Sequence, residues 1–226
     1  MGERAIDSLC EFMTGKCELL RINLEANFLG DKVIIKLCET INKTLSEKLL
    51  LLNLGQNNIS DIGARRVASS IESCKLLQVL ILYWNKISNT GGANIIRVMK
   101  NHAHLRIFDI SWNIIGDSLL EKPSVDDMIN SINSINSINT INNTLKSPDN
   151  KPEKNLFNVT LSGMRSSMSM DLAKLRLNPA KKVSEFANEL GEYFSESNTF
   201  LIHLDISHNN ISSEDAKLIS KYKSYK

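Results

Sequence analysis

One pattern recurs along the chain and constrains its fold more than any other feature: L-x-x-L-x-L-x-x-N-x-[IL], with isoleucine or phenylalanine replacing some leucines. Its five copies begin at Leu19, Leu49, Leu77, Leu105 and Leu201. The first four starts are 30, 28 and 28 residues apart (49 − 19, 77 − 49 and 105 − 77). The alternating apolar residues predict a short strand with one buried side in each copy. Because no copy can cover its own core, the copies are expected to stack into a solenoid.

A helix is predicted after most of these strands. Gly63 and Ala64 lead into an apolar series that ends at Ile71, and Gly91 and Gly92 lead into one that ends at Met99. Both series have the spacing of one buried helical face. Each repeat is therefore expected to contain a strand, a turn and a full helix.

The pattern and its G-A continuation resemble the ribonuclease-inhibitor-like family of leucine-rich repeats over residues 1–119 and 172–226. The resemblance implies an α/β solenoid shaped as a curved horseshoe, with parallel strands on the concave face and helices on the convex face. It also implies that the asparagines form a ladder of hydrogen bonds between neighbouring turns. The residues that match this role are Asn27, Asn57, Asn85, Asn113 and Asn209.

The repeat register is interrupted after the fourth copy. Leu172, Leu175 and Leu177 restore L-x-x-L-x-L one repeat before Leu201 (201 − 172 = 29), and an apolar helical stripe from Val183 to Phe194 follows. This predicts about six repeats: residues 1–120, a long insertion at 121–168, and two further repeats at 169–226. The insertion contains INSINSINSINTINN. Such a tract is expected to be disordered, although it could instead fold on a partner through its isoleucines.

Composition narrows the functional classes. The net charge of +2 predicts neither nucleic-acid nor membrane binding, and no apolar stretch is long enough to span a bilayer. The four cysteines match no zinc spacing, and we expect reduced thiols in a soluble cytoplasmic protein. His102 and His104 have no ligand-like companion, so no metal or cofactor is expected. No catalytic motif is present, which predicts a protein that is not an enzyme.

The strand positions that point away from the helices indicate one candidate binding surface. Trp84 and Trp112 are the only tryptophans in the chain, and both immediately precede a ladder asparagine, one repeat apart (112 − 84 = 28). Exposed aromatic patches are typical of protein-binding sites, but the indoles could instead only pack on neighbouring turns. The predicted protein-binding residues are Val79, Ile81, Tyr83, Trp84, Ile107, Asp109, Trp112, His203, Asp205 and His208.

The sequence leaves three functions open. The first is a non-enzymatic scaffold that binds a protein partner on the concave face. The second is a structural subunit of a cytoskeletal or ciliary assembly, since the solenoid ends lack obvious caps and could be covered by a larger complex. The third is a regulator of a small GTPase, by analogy with a GTPase-activating protein of the same repeat class.

Overall fold

The computed structural model describes residues 3–15, 17–116, 158–160, 183–195 and 200–223. The chain divides into two compact units, one formed by Met1–Ser118 with Phe157–Lys226 and the other by Leu119–Leu156. The second unit lies outside the described residues, as does the Asn/Ile tract for which we predicted disorder or folding on a partner.

The described part of the chain alternates between short strands and helices. The helices are α1 (Glu3–Thr14), α2 (Asp31–Thr44), α3 (Asp61–Ser73), α4 (Asn89–Met99), α5 (Glu185–Ser195) and α6 (Ser213–Lys223). The strands are β1 (Arg21–Asn23), β2 (Leu51–Asn53), β3 (Val79–Ile81), β4 (Ile107–Asp109), β5 (Asn158–Thr160) and β6 (His203–Asp205). Each strand has three residues, and an asparagine turn follows closely after β1, β2, β3, β4 and β6.

All the strands belong to one parallel sheet, in the order β1-β2-β3-β4-β6-β5. Parallel neighbours require a crossover connection, and helices fill that role here. The pairing aligns equivalent residues of successive copies, so Ile22, Leu52, Leu80, Phe108 and Leu204 form one continuous row. The predicted α/β leucine-rich-repeat solenoid is confirmed.

The hydrophobic core lies between this row and the helices. The central residue of each repeat strand is buried, with Leu80, Phe108 and Leu204 fully enclosed. Helices contribute their predicted apolar faces, for example Ile34 and Leu37 of α2. A fully buried aliphatic side chain contributes about 1.5–3 kcal/mol. Stacking of repeats is therefore the main source of stability.

The fourth repeat differs from the prediction. β4 pairs directly with β6, so no strand lies between them. A strand has only two edges, and β3 and β6 occupy both edges of β4. The strand predicted at 172–177 lies outside the described residues, so its place in the sheet stays a prediction. The predicted helix after it exists as α5, but it packs against α4 and completes the fourth repeat.

The predicted insertion also contains structure. β5 lies within 121–168 and pairs with β6, so the expectation of disorder is wrong for Asn158–Thr160. The outer edge of β6 offers unpaired backbone groups, which another parallel strand can satisfy. This end of the sheet is therefore extended by the chain itself and is not the bare end that the sequence suggested.

Candidate functional site

The constant position of the asparagines within each repeat has a structural basis in hydrogen bonds between turns. Asn57 Oδ1 accepts hydrogen bonds from the backbone N–H groups of Asn27 (3.2 Å) and Leu29 (2.8 Å) in the preceding turn. Its Nδ2 donates to the carbonyl oxygens of Leu24, Leu54 and Gly55 at 2.9–3.0 Å. Equivalent bonds are formed by Asn85, Asn113 and Asn209. This geometry is a ladder that satisfies buried backbone groups of each turn.

A second ladder, which we did not predict, connects the helix N-termini. Asp31 Oδ1 accepts from the N–H groups of Ser60 (2.8 Å) and Gly63 (3.0 Å) at the start of α3. Asp61 repeats this arrangement on Ser88 (2.7 Å) and Gly91 (3.1 Å) at the start of α4. A carboxylate stabilises the orphan N–H groups and the positive end of a helix dipole. The sign of this second ladder in the sequence was an aspartate at the first residue of both α2 and α3, 30 positions apart (61 − 31).

The sheet surface opposite the helices is termed the strand face. Its residues stand in rows across neighbouring strands, because equivalent positions are paired in register. The rows consist of Arg21, Leu51, Val79, Ile107 and His203; Asn23, Asn53, Ile81, Asp109 and Asp205; Glu25, Gly55, Tyr83, Ser111 and Ser207; and Ala26, Gln56, Trp84, Trp112 and His208. All ten predicted protein-binding residues lie on this face.

Much of the predicted patch is not exposed. Val79, Ile81, Tyr83 and Ile107 each expose 3% of their surface or less, and Trp112 exposes 5%. They do not belong to the core beneath the helices. Each of these side chains is flanked in its row by residues from the strands on both sides. The half-buried members are Trp84, His203, Asp205 and His208, so the accessible part of the patch is narrower than the sequence suggested.

Three aromatic rings stack along the last row of the strand face. The Trp84 and Trp112 ring centroids are 5.7 Å apart with planes inclined at 20°, and Trp112 lies 4.0 Å from His208 at 10°. All three residues have positive φ (51°, 54° and 54°). Left-handed backbone costs a non-glycine residue about 1–2 kcal/mol. The turn therefore holds these rings in place at an energetic cost that glycine would avoid.

Tyr83 is fixed by polar contacts with the first two repeats. Its hydroxyl donates to Glu25 Oε1, while Glu25 Oε2 accepts from Asn53 Nδ2 at 2.9 Å. Its ring covers Gly55, where an added Cβ would lie 2.3 Å from Tyr83 Cε1. Burial and the adjacent Glu25 carboxylate raise the pKa of the Tyr83 phenol, so it remains neutral and serves as a hydrogen-bond donor.

A carboxylate pair lies across β4 and β6. Asp109 and Asp205 are register partners, and adjacent strands are about 4.8 Å apart. Asp109 is fully buried; its Oδ1 accepts from Ser111 N (2.9 Å) and Ser111 Oγ (2.7 Å), while its Oδ2 has no hydrogen-bond partner. Burial, and then the charge of Asp205, raise the pKa of Asp109 to about 7.

Two further buried polar atoms on the same side of the sheet lack partners. They are Nε1 of Trp112, in the turn after β4, and Nε2 of His203, at the start of β6. Buried polar groups are nearly always hydrogen-bonded, so such exceptions are informative. Three of these unpartnered atoms fall on β4, β6 and the turn after β4, which makes this end of the strand face chemically distinct.

The predictions from the sequence also concerned metal ions, membrane spans and cysteine thiols. Among the described residues, no three His, Cys, Asp or Glu side chains are arranged to hold a metal ion. None of the described helices is long and apolar enough to cross a bilayer. Cys10, Cys17, Cys38 and Cys74 are buried free thiols, and burial raises the pKa of Cys38 to about 12 and that of Cys74 to about 11.

His102 has a structural position at the start of the fourth repeat. Its Nε2 lies 3.0 Å from Cys74 O, and its Nδ1 accepts from Leu105 N at 3.1 Å. These contacts require a neutral ring that donates through Nε2. His102 therefore connects two repeats and lies away from the strand face.

Comparisons with known proteins agree with this architecture. A family model described as "Leucine Rich repeat" matches residues 46–68, 101–118 and 197–220. A solved structure of leiomodin-1 actin-binding site 2 is similar at a TM-score of 0.50 and 13% identity, covering 97% of this chain and 87% of that chain. A tropomodulin C-terminal domain from Caenorhabditis elegans has a TM-score of 0.48 and 14% identity, covering 97% of this chain and 91% of that chain.

These likenesses differ in what they can support. At 13% identity, the leiomodin-1 structure supports the fold alone, and the tropomodulin domain is too distant to add to the argument. No curated protein matches the chain in sequence. The matched family segments contain β2, β4 and β6, which are repeat strands of the observed sheet. The three matched segments are leucine-rich repeats, and the chain folds as a leucine-rich-repeat solenoid.

Proposed function

We propose that this protein is a non-enzymatic scaffold that holds a protein partner on the strand face, around Trp84, His203, Asp205 and His208. Leucine-rich repeats form extended surfaces from stacked units, and that architecture suits binding of another macromolecule. The half-buried residues give a partner access, while Val79, Ile81, Tyr83, Ile107 and Trp112 form the layer that supports them.

The observation that carries the proposal is the stack of Trp84, Trp112 and His208. Glycine or asparagine would relieve the left-handed turn, yet three aromatic rings occupy it in successive strands of the sheet. Packing between the rings returns about 0.5–1.5 kcal/mol per pair, which is comparable with the backbone cost. The packing energy of the rings therefore does not by itself explain why aromatic residues occupy these positions. Tryptophan is, in contrast, the residue most enriched in binding hot spots.

The test is recovery of partners by the full chain from extracts of the native cell. Trp84→Ala removes the accessible indole and keeps an L-residue in the turn. Phe12→Ala is the matched control, because Phe12 is 63% exposed on α1 and lies away from the strand face. A partner retained by the wild type and by Phe12→Ala, but lost by Trp84→Ala, is the expected result. Equal recovery by all three would contradict the proposal.

A cytoskeletal role is the second candidate, and the similarity to a structure named for an actin-binding site is what favours it. Such a likeness is an analogy at the level of the fold. Co-sedimentation with purified filamentous actin tests it directly. We expect the wild-type chain to pellet with filaments and Trp84→Ala to stay in the supernatant. A wild-type chain that remains in the supernatant would remove filamentous actin as the partner and leave the scaffold proposal intact.

A further inference from the structure

We infer that the Asp109–Asp205 pair is a recognition site for one cationic side chain, lysine or arginine, of the protein partner. The inference rests on the proposed function, because it specifies the chemistry of a partner bound to the strand face. It adds a specific contact that the aromatic stack does not provide.

The first step is that the local fold needs an acceptor at these positions and does not need a charge. In β1, β2, β4 and β6, the last residue of the strand accepts a hydrogen bond, at its side-chain oxygen, from the backbone N–H group two residues later. Asn23 bonds Glu25 N (3.0 Å), Asn53 bonds Gly55 N (2.9 Å), Asp109 bonds Ser111 N (2.9 Å) and Asp205 bonds Ser207 N (2.9 Å). Asparagine performs this role in β1 and β2. The carboxylates in β4 and β6 therefore carry charge that the turn does not require.

The second step is that this charge is unfavourable in the protein alone. Asp109 is fully buried beside another carboxylate, and its Oδ2 has no partner. Within the described part of the chain, no lysine or arginine forms an ion pair with Asp109 or Asp205. A buried charge is usually paired, and leaving it unpaired is costly. One cationic head group placed between the two carboxylates would compensate one of the two negative charges and donate hydrogen bonds to both groups.

The third step concerns the surroundings of the pair. Ile81 precedes Asp109 in its row, while Ile107 and His203 occupy the adjacent row. Ile81 and Ile107 are buried, so a head group reaches Asp109 across Asp205, which is half-buried. Lysine and arginine have long apolar stems with a charged end, and this reach suits a carboxylate that lies beneath the surface. A purely apolar or acidic ligand would leave Asp109 Oδ2 unsatisfied.

The probe is a phage-displayed library of random peptides, selected on the full chain at mildly alkaline pH, which favours the ionised form of Asp109. Selected peptides are then synthesised, and their dissociation constants are measured by fluorescence anisotropy. We expect them to share a lysine or arginine at one position. Replacing that residue with norleucine or citrulline should weaken binding about tenfold or more, as expected for loss of a charge-assisted hydrogen bond in a desolvated site.

The protein variants are Asp205→Asn and Asp109→Asn, which keep the Oδ1 acceptor that Asn53 shows to be sufficient for the turn. Each should weaken the cationic peptide about tenfold or more. Glu72→Gln is the matched control, because it neutralises an exposed carboxylate on α3, away from the strand face. It should leave the affinity unchanged.

The outcomes separate this inference from the proposed function. Peptides that depend on Trp84 but bind Asp205→Asn as tightly as wild type would overturn the cation site and leave the scaffold proposal standing. Selection of peptides that depend on Trp84 but share no lysine or arginine would also overturn the cation site and leave the scaffold proposal standing. If no selected peptide depends on Trp84 or on Asp205, both proposals fail.

Discussion

The carboxylate of Asp31 occupies the space that a side chain at Gly63 would need. Asp31 Oδ1 accepts from Gly63 N at 3.0 Å, and a Cβ built on Gly63 would stand 2.5 Å from that oxygen. The same relation joins Asp61 to Gly91, where the corresponding distances are 3.1 Å and 2.3 Å. Glycine in the first turn of these helices is thus explained by the close approach of a carboxylate from the preceding repeat.

Gly63→Ala is therefore expected to destabilise the protein, although alanine is the better helix former. Helix propensity alone would favour alanine by about 1 kcal/mol. Displacement of Asp31 removes a cap, which costs about 1–2 kcal/mol, and crowds the first turn of α3. The net free energy of unfolding, measured with urea, should fall. Gly15→Ala is the control, since its nearest atom would be Phe12 O at 3.5 Å and no loss is expected.

A double-mutant cycle identifies the cause of that loss. In an Asp31→Ala background, the oxygen that meets the new Cβ is absent, so Gly63→Ala should cost less than in wild type. Equal costs in both backgrounds would show that Asp31 is not responsible. Ile59 Cγ2, at 2.7 Å from the same Cβ position, would then be the remaining cause.

Asp109→Asn is expected to stabilise the protein at neutral pH. The pKa of Asp109 is raised to about 7 by burial and by Asp205, above its ordinary value of 3.8. Between these values the folded state binds the proton more tightly, so the stability of the wild type declines as pH rises from about 4 to about 7. Asparagine removes the charge and keeps the bond to Ser111.

The pH dependence provides the measurement for this prediction. The variant and the wild type should have similar unfolding free energies near pH 4. The variant should then exceed the wild type by about 1–3 kcal/mol above pH 7, since a tenfold change in proton affinity corresponds to about 1.4 kcal/mol. Greater stability of the wild type at pH 8 would mean that Asp109 is satisfied as a charged group within the chain.

The sequence was sufficient for the repeat strands and the asparagine positions because both depend on a buried pattern that recurs in register. It was insufficient for the helix caps, since the groups that Asp31 binds lie about one repeat away and no local motif joins them. The alternation of strand residues shows which side faces the helices, but it cannot show how deeply the opposite side is buried. Ile81 and Trp112 illustrate that limit.

Because of His102, the free energy of unfolding should decrease in mild acid. Burial lowers its pKa below the ordinary value of 6.5, and nearby His104 and Lys75 act in the same direction against the bond to Cys74 O. The unfolded chain then binds the proton more readily, so stability is present above about pH 6.5 and is lost as pH falls below it. Protonation would also remove the Nδ1 acceptor used by Leu105 N.

His102→Gln tests this assignment through urea unfolding between pH 5 and pH 8. The variant should lose stability at pH 8, by about 1–3 kcal/mol for disrupted buried hydrogen bonds. The difference between variant and wild type should shrink as pH falls, because the wild type loses its own contribution. Asn101→Gln is the control, because it changes an exposed neighbour of His102 without altering a titratable group, and it should keep the wild-type slope. A constant difference across the pH range would show that His102 does not titrate with unfolding.

Substitutions of Trp84 should show an unusual order of stability in which glycine exceeds alanine. Trp84 has a φ of 51°, so Trp84→Ala keeps the left-handed strain while Trp84→Gly relieves it. Both variants lose the stack on Trp112 equally, and the glycine variant should therefore be the more stable by about 1 kcal/mol.

Ile62 provides the control, because it is 62% exposed within α3, where the glycine variant should be less stable than the alanine variant by about 1 kcal/mol. Unfolding free energies from urea titrations followed by circular dichroism give both differences. Opposite signs at the two positions would establish that the tryptophan is held against a backbone preference, whereas the same sign at both would remove the energetic argument for a binding role of the stack.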